Sequence, residues 1–321
     1  MSTGAQAVVD AGGAATARIM RRVERRMAEL AAGHGSKLGR HAGETISAGG
    51  KRLRPLMVCL AAGAPPPETD GLVRAAVAVE LVHGATLVHD DVLDGSALRR
   101  GRPTVVATGG RGAATATGDL LFSRAFAELA AGGSPEPVEV LARASRELAL
   151  GELTQREDAF KLEVTVDRYL ARCRLKTAVL FRAACELGAI EAGGDPEALG
   201  AFGERIGLAF QILDDVLDVT GPPERTGKPR GADLLDGTVN LPLILARAED
   251  AELATLDLRA VRTAQDAAAA CDRIAATGVL DVARARARAL VAEAKLGLPA
   301  LPDRQRGALE LAADVVVERF A

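Results

Sequence analysis

Two copies of the pentapeptide DDVLD carry the strongest chemical signal in the sequence, the first from Asp90 to Asp94 and the second from Asp214 to Asp218. Residues four apart share one face of a helix, so the outer carboxylates of each copy lie one turn apart. Like charges at that spacing destabilise a helix by roughly 0.2–0.5 kcal/mol per pair unless a cation lies between them. Carboxylate oxygens suit Mg²⁺, which takes few protein ligands and completes its shell with water and substrate phosphate. Each motif is therefore a candidate magnesium site.

One isolated DDVLD would fit a solvated acidic helix end as well as a metal site. Two identical copies weaken that alternative, and so do their apolar flanks. Leu87 and Val88 precede the first copy, and Ile212 and Leu213 precede the second. Acidic residues inserted into otherwise apolar helices indicate the wall of a cavity.

Basic residues gather in two short segments, GGKRLRP and LRRGRPT, and the cations concerned are Lys51, Arg52, Arg54, Arg99, Arg100 and Arg102. Guanidinium groups match phosphate oxygens through paired hydrogen bonds, and a lysine supplies a point charge. Lys176 with Thr177 in LKTA and Lys228 in TGKPRG are further candidates. Cations beside Gly and Pro turns indicate a polyanion held by the predicted metals, and ordinary surface charge is the alternative.

The composition predicts an all-helical fold. Of the 321 residues, 48% are hydrophobic and only 2% are aromatic, and the abundance of Ala and Leu favours helix over strand. Apolar residues recur at three- and four-residue spacing, which predicts helices near 13–33, 54–63, 70–94, 112–131, 136–157, 165–190, 195–219 and 239–250, with three more beyond 265. We expect a flexible N-terminus at 1–12 and a single all-helical domain at 13–321.

Charge, cysteines and hydropathy exclude several classes of protein. A net charge of -3 gives no reason to expect a nucleic-acid partner. The four cysteines form no CxxC pair, so we expect buried thiols in a reducing compartment in place of disulfides or zinc ligands. No uncharged apolar run reaches the roughly 18 residues of a membrane-spanning helix, and we expect a cytoplasmic protein without a transmembrane segment.

Two long charged loops are predicted, at 95–110 and 221–237, and each follows a DDVLD motif. The second is rich in Pro and Gly and carries Lys228 and Arg230. This segment is a candidate lid that closes when its cations meet phosphate.

Taken in order, GGKRLRP, HDDVLD with LRRGRPT, LKTA, and FQILDDVLD with GKPRGADL resemble the motifs of the trans-isoprenyl (polyprenyl) diphosphate synthases. The resemblance extends from Gly49 to Pro242, and the paired motifs with their basic partners are specific only together. It implies an isoprenoid-synthase type of helical bundle around a central cavity, with Mg²⁺ as cofactor. The implied reaction is head-to-tail condensation of isopentenyl diphosphate with an allylic prenyl diphosphate, carried out by a homodimer.

The resemblance also implies roles for individual residues. The metal ligands would be Asp90, Asp94 and Asp214, with Asp91, Asp215 and Asp218 in support. The allylic diphosphate would be held by Arg99, Lys176 and Lys228. Isopentenyl diphosphate would be held by Lys51, Arg54, His83 and Arg100, while the reaction centre would be lined by Thr177 and Gln211. The catalytic set implied in this way is Asp90, Asp94, Arg99, Lys176, Asp214 and Lys228.

One departure from the family pattern lies in DGTVNLPL. Family members commonly have a lysine and a threonine where this chain has Thr238 and Asn240. One phosphate contact of the family is therefore not carried over.

Residue size near the first motif bears on product length. Thr86 lies one turn, about 5.4 Å, before Asp90 on the same helix face, and Ala85 lies beside it. In the family, bulky aromatics at these positions give short products, so the small residues here predict a product of geranylgeranyl length or longer. Phe122 and Phe126 are candidates for a deeper stop, with simple core packing as the alternative.

Two other functions fit parts of the pattern. A class I terpene cyclase also uses an aspartate-rich helix and Mg²⁺, but it needs no second diphosphate pocket and is less similar in GGKRLRP. A non-catalytic partner subunit of a prenyl synthase is the second alternative, and the intact Asp90, Asp94 and Asp214 weaken it.

Overall fold

The computed structural model describes residues 3–32, 38–47, 52–99, 101–221 and 230–318. Up to residue 221 the helices are α1 (Thr3–Gly12), α2 (Ala14–Ala32), α3 (Leu38–Ser47), α4 (Leu53–Ala62), α5 (Asp70–Asp94), α6 (Val105–Ala130), α7 (Pro135–Asp158), α8 (Val166–Cys173), α9 (Val179–Ala192) and α10 (Pro196–Thr220). After residue 229 they are α11 (Ala232–Leu235), α12 (Leu241–Ala246), α13 (Ala251–Ala254), α14 (Ala264–Ala276), α15 (Val279–Leu296) and α16 (Asp303–Glu318). Strand in this described part is confined to a hairpin, β1 (Leu98–Arg99) and β2 (Arg102–Pro103). The all-α prediction is confirmed.

The chain divides into two compact units. The first comprises Met1–Ser145, Leu180–Glu204 and Ala294–Val315, and the second comprises Arg146–Val179, Arg205–Glu293 and Val316–Ala321. Each unit contains one DDVLD motif. The single domain expected at 13–321 and its central cavity stay predictions.

Helices α4 and α5 form the core of the first unit. All residues from Pro55 to Ala62 are buried, and so is the run from Ala75 to Val82. A helix covered on every face has to be apolar all round, which explains the composition of these two segments. The acid within the α5 run, Glu80, accepts a hydrogen bond from Arg52 at 2.8 Å, so its buried charge is compensated.

Helix α5 is long and apolar enough to cross a membrane by length and composition. However, 67% of its most apolar 18-residue window is buried inside the protein. The core helix of a soluble protein passes the same test, so this finding is weak evidence for a membrane span.

The N-terminal segment corrects one sequence prediction. Residues Thr3–Gly12, expected to be part of a flexible N-terminus at 1–12, form α1. Ala5, Val8 and Val9 are buried at helical spacing, and α1 packs on α2 and α4. A helix of 10 residues is marginal on its own, and burial of this apolar stripe stabilises it.

The loop predicted at 95–110 is shorter than expected. Thr104 accepts a hydrogen bond from the Ala107 amide at 3.2 Å and thereby starts α6 at Val105. A backbone break at Gly110, with φ 78°, interrupts the helix where the sequence predicted the loop to end. The sequence predicted a helix start near 112 because the break at Gly110 resembles the beginning of a helix. The N-cap at Thr104 was missed for this reason.

A buried ion pair stabilises the second unit. Asp158 accepts hydrogen bonds from Arg168 at 2.7 Å and from Arg172 at 3.4 Å. Asp158 and Arg172 are both buried, so removing Asp158 would take away the carboxylate that faces the buried charge of Arg172.

All four cysteines are buried thiols, as the sequence predicted. They are Cys59, Cys173, Cys185 and Cys271. Burial raises the pKa of each thiol above its ordinary value, so the reactive thiolate is disfavoured.

Close helix contacts in the first unit depend on glycine. A Cβ atom added at Gly188 in α9 would lie 2.2 Å from the carbonyl oxygen of Val58 in α4. A Cβ atom added at Gly203 would lie 2.4 Å from the carbonyl oxygen of Phe181. Backbone atoms cannot swing aside as a flexible side chain can, so these contacts require the absence of a side chain.

We predict that Gly188→Ala lowers the free energy of unfolding by about 1–3 kcal/mol, because the new methyl group overpacks a backbone contact. Urea unfolding followed by circular dichroism measures the change. Gly307→Ala is the matched control, since Gly307 is exposed within α16 and an added Cβ atom meets nothing within 4 Å. The control should gain about 0.5–1 kcal/mol from its better helix propensity. Equal stability of Gly188→Ala and the native protein would contradict the close approach of α9 and α4.

Candidate active site

The first DDVLD motif occupies the last turn of α5, which ends at Gly95 with a left-handed φ of 63°. Asp94 is exposed and Asp90 is half-buried, so both are accessible to solvent. Asp91 is only 5% exposed, and its Oδ1 accepts a hydrogen bond from Arg99 Nε at 2.8 Å. The middle carboxylate therefore points into the protein while the outer two reach solvent.

The β1–β2 hairpin places Arg99 against Asp91. The chain turns at Gly101, whose φ is 74°, and Arg99 pairs in register with Arg102. Thr104 closes the loop, because its hydroxyl donates to the Ser96 carbonyl at 2.6 Å. Arg102 is exposed, and Arg100 lies outside the described residues.

The second DDVLD motif lies in the last two turns of α10 and repeats this division. Asp214 is exposed, whereas Asp215 is 4% exposed. Asp215 accepts hydrogen bonds from the Tyr169 hydroxyl and from Gln211 Nε2, each at 2.7 Å. In both motifs the second carboxylate is thus held by protein donors, and the first is accessible to solvent.

The position of both motifs favours bound cations. The C-terminal end of a helix carries partial negative charge from its unpaired carbonyl groups, so carboxylates there are repelled. Burial raises the pKa of Asp215 and of Asp218, and the nearby charge of Asp233 adds to both increases. A cation bound at either helix end would relieve this repulsion.

The donor set fits Mg²⁺. The carboxylates of Asp90, Asp94 and Asp214 offer hard oxygen donors with access to solvent. Within the described ranges, no three His, Cys, Asp or Glu side chains are grouped so as to enclose a metal ion. Carboxylates that are accessible to solvent suit an ion that uses one or two of them and takes its other ligands from water and phosphate.

The LKTA segment lies in a single π turn, Arg174–Ala178, between α8 and α9. Lys176 Nζ donates to Glu152 Oε2 at 2.6 Å, and the Thr177 hydroxyl donates to Gln211 Oε1 at 2.6 Å. Burial alone would raise the pKa of Glu152, but the charge of Lys176 lowers it overall. The structure therefore brings Thr177 and Gln211 into contact, and it gives Lys176 a carboxylate partner.

A glycine in α7 makes room for this π turn. A Cβ atom added at Gly151 would lie 2.5 Å from the backbone nitrogen of Lys176. Single π turns are frequent at functional sites. The position of Lys176 thus depends on a residue that the sequence reading did not single out.

The residues of the basic segment GGKRLRP, which were predicted to bind phosphate, differ in their structural surroundings. Arg52, at φ 48°, pairs with Glu24 and Glu80 and so has a structural role in place of the predicted phosphate contact. Arg54 is half-buried, with its guanidinium carbon 4.5 Å from the centre of the Phe181 ring. His83 is half-buried on α5, while Lys51 and Lys228 lie outside the described residues, as do residues 222–229 of the candidate lid.

Asn240, which differs from the residue common in the family, caps a helix. Its Oδ1 accepts from the Leu243 amide at 3.1 Å, which caps α12, and its Nδ2 donates to Asp233 Oδ2 at 3.1 Å. Asn caps a helix at least as well as Thr, so the cap survives. The Thr238 amide donates to the Asp233 carbonyl at 2.7 Å, but its side chain cannot supply the positive charge of a lysine.

The two residues proposed to affect product length differ in accessibility. Ala85 is fully buried, whereas Thr86 is half-buried and donates to the His83 carbonyl at 2.8 Å. Phe122 stacks on His89 with ring centres 5.8 Å apart. Phe122 thus makes a packing contact beside the first motif, and Phe126 is half-buried one turn further along α6.

Three functional neighbours were missed by sequence reasoning: Tyr169, Glu152 and Asp233. Each is remote in sequence from the group it contacts, so spacing alone could not connect them. Tyr169 offered one signal, because it is the only tyrosine in a chain with no tryptophan.

Comparison with known proteins agrees with the motif order. The chain matches the family model described as polyprenyl synthetase over residues 36–276. It is 44% identical over 217 residues to heptaprenyl diphosphate synthase component 2 of Geobacillus stearothermophilus, covering 66% of this chain and 68% of that protein. It is 37% identical over 284 residues to geranylgeranyl diphosphate synthase of Methanosarcina mazei, covering 85% and 87%.

A solved structure supports the same assignment. The decaprenyl diphosphate synthase of Rhodobacter capsulatus is 35% identical, and the alignment covers 99% of both chains with a TM-score of 0.86. Similarity therefore extends over the whole fold.

We predict that Gly151→Ala displaces the π turn and lowers catalytic efficiency on the order of tenfold or more, since small misplacements of a binding group are costly. Stability should fall by about 1–3 kcal/mol as the methyl group meets the backbone. Steady-state kinetics and thermal unfolding test both effects. Gly112→Ala, where an added Cβ atom meets nothing within 4 Å, is the control and should leave kinetics unchanged. Native kinetics in Gly151→Ala would show that the close contact does not constrain Lys176.

Proposed function

This chain belongs to the polyprenyl synthetase family, and on that premise we propose that it is a Mg²⁺-dependent polyprenyl diphosphate synthase. It would condense isopentenyl diphosphate head to tail with an allylic prenyl diphosphate. The observation that carries this proposal is the matched pair of DDVLD motifs. Each lies at a helix C-terminus, with its first carboxylate accessible to solvent and its second held by protein donors.

The side chains divide the work as follows in this proposal. Asp90, Asp94 and Asp214 hold Mg²⁺, which when bound neutralises negative charge on the diphosphate. Arg99 and Lys176 bind the diphosphate that departs, and their positive charges stabilise it as the bond breaks. Their present carboxylate partners keep these cations oriented before substrate arrives.

The bond changes need no protein nucleophile. The C–O bond of the allylic diphosphate breaks and leaves an allylic cation, which the double bond of isopentenyl diphosphate attacks. A proton then leaves the new tertiary cation for the released diphosphate, and a new double bond forms. Thr177 and Gln211 present oxygen atoms that favour positive charge, and apolar neighbours exclude water that would quench the cation.

Product length is proposed to be geranylgeranyl or longer. The small side chains at Ala85 and Thr86 support this. Relatives named for geranylgeranyl, heptaprenyl and decaprenyl products agree with a range that begins at that length. We propose a homodimer, as the resemblance to the family implies, and we propose that it acts in the cytoplasm.

A second candidate function is catalysis only with a partner subunit. The observation that favours it is the relative whose name is component 2 of a heptaprenyl diphosphate synthase. Residue chemistry does not separate the two candidates, but an assay of the purified chain does.

We predict that the purified chain elongates at least one of dimethylallyl, geranyl, farnesyl and geranylgeranyl diphosphates in the presence of Mg²⁺. Asp90→Asn and Asp214→Asn should each lower the rate by at least about a hundredfold, because several kcal/mol of charge stabilisation are lost. The measurement uses labelled isopentenyl diphosphate and sizes the dephosphorylated products. Chelation of Mg²⁺ should abolish elongation.

Asp281→Asn is the matched control. Asp281 is an exposed aspartate that forms a local ion pair with Arg284 at 2.9 Å, and its replacement should leave the rate unchanged. Full activity in Asp90→Asn would contradict the metal-ligand role. No elongation by the native chain with any primer would favour the partner-subunit candidate.

We predict that Thr86→Phe shifts the products towards shorter chains, because an aromatic ring would fill the path of the growing tail. Thin-layer chromatography of the dephosphorylated products measures the shift. Thr86→Val keeps the size of the native residue and should leave the product length unchanged. An unaltered product distribution in Thr86→Phe would show that the tail does not pass this residue. Ala85→Phe is unsuitable because Ala85 is fully buried, and overpacking would cost about 1–3 kcal/mol of stability.

A further inference from the structure

A chain of hydrogen bonds in the second unit ties Tyr169 to the LKTA segment. The Tyr169 hydroxyl donates to Asp215 Oδ2 at 2.7 Å, and Gln211 Nε2 donates to Asp215 Oδ1 at 2.7 Å. The Thr177 hydroxyl in turn donates to Gln211 Oε1 at 2.6 Å. Both carboxylate oxygens of Asp215 and both ends of the Gln211 amide are therefore engaged.

When Asp215 is ionised, these bonds can run in only one direction. Asp215 accepts on both oxygens, so Gln211 turns its amino group towards Asp215 and its carbonyl oxygen towards Thr177. Thr177 has a single hydroxyl proton and gives it to Gln211. The lone pairs of the Thr177 oxygen, and not its proton, are then available to a neighbouring group.

Tyr169 is well placed to anchor this arrangement. It is 1% exposed, and its ring lies 5.7 Å from the guanidinium carbon of Arg172, which is buried with Asp158. Thr165 caps the helix that carries Tyr169 by accepting from the Arg168 amide at 3.2 Å. Hydrogen bonds in such a buried setting are strong and hold their partners in one geometry.

We propose that Tyr169 is a positioning residue for chain elongation. Through Asp215 its hydroxyl fixes the Gln211 amide, and through Gln211 it fixes the Thr177 oxygen, so that electron-rich atoms face the allylic cation. Tyr169 itself touches no substrate. This inference rests on the proposed synthase function and adds a residue outside the two aspartate motifs.

Tyr169→Phe is the direct test, because it keeps the ring and removes only the hydroxyl. We expect kcat to fall about tenfold or more, with the KM for both diphosphates within about twofold, since an orienting bond acts mainly on the transition state. A residue that only stabilised the fold would lower the melting temperature and leave kcat at the native value. That second outcome would overturn the inference.

Thr220→Val is the matched control for loss of a hydroxyl. Thr220 lies on the same helix as Gln211, and its hydroxyl donates to the Val216 carbonyl at 2.9 Å outside the chain of bonds. Its removal should leave kcat unchanged. A fall in kcat equal to that of Tyr169→Phe would show that the assay responds to any lost hydroxyl on this region, and the inference would fail.

A double-mutant cycle tests whether Tyr169 acts through Thr177. Thr177→Val removes the last hydrogen bond of the series. Adding Tyr169→Phe to this variant should therefore change kcat by less than about twofold. If the two substitutions lower kcat by independent factors that multiply, Tyr169 does not act through Thr177 and the inference fails.

Fluorescence provides a readout apart from activity. The sequence has one tyrosine and no tryptophan, so tyrosine emission comes from Tyr169 alone. A carboxylate that accepts the hydroxyl proton quenches this emission, and Asp215→Asn should increase it. Unchanged emission would overturn the bond itself. If the native chain elongates while Tyr169→Phe retains native kcat, only the inference fails, whereas a native chain without activity overturns the proposed function and the inference together.

Discussion

The structure depends on carboxylates held at the negative ends of apolar helices. Each DDVLD motif lies where helix carbonyls already repel anions, and part of each motif is buried. Such an arrangement is stable only when donors and cations surround it. Both kinds of partner are present in the described chain. Arg99 in the hairpin donates a hydrogen bond to Asp91, and Tyr169 in α8 donates one to Asp215.

The buried carboxylates of the two motifs are stabilised by chemically different partners. Asp91 is compensated by a full positive charge, whereas Asp215 receives two neutral donors and remains close to Asp233 and Asp218. Two neutral donors compensate less of the negative charge of a carboxylate than a guanidinium does. The two identical pentapeptides are thus held by different kinds of donor.

The sequence predicted what depends on local pattern. The bounds of α5 agree because Asp70–Asp94 is a long apolar run that stops at a glycine. The π turn was not predictable, because it needs the missing side chain of Gly151 more than twenty residues away in sequence. Arg52 was assigned to phosphate for its neighbours in sequence, but Glu24 and Glu80 bind it through tertiary contacts that no spacing reveals.

The four buried cysteines have a practical consequence for spectroscopy. Their thiols are shielded and their thiolate forms are disfavoured, so a maleimide reagent has no accessible native target among them. A cysteine introduced at a surface position would then be labelled selectively without any replacement in the core. The mobility of a spin label at such a position could then be followed without background from the native thiols.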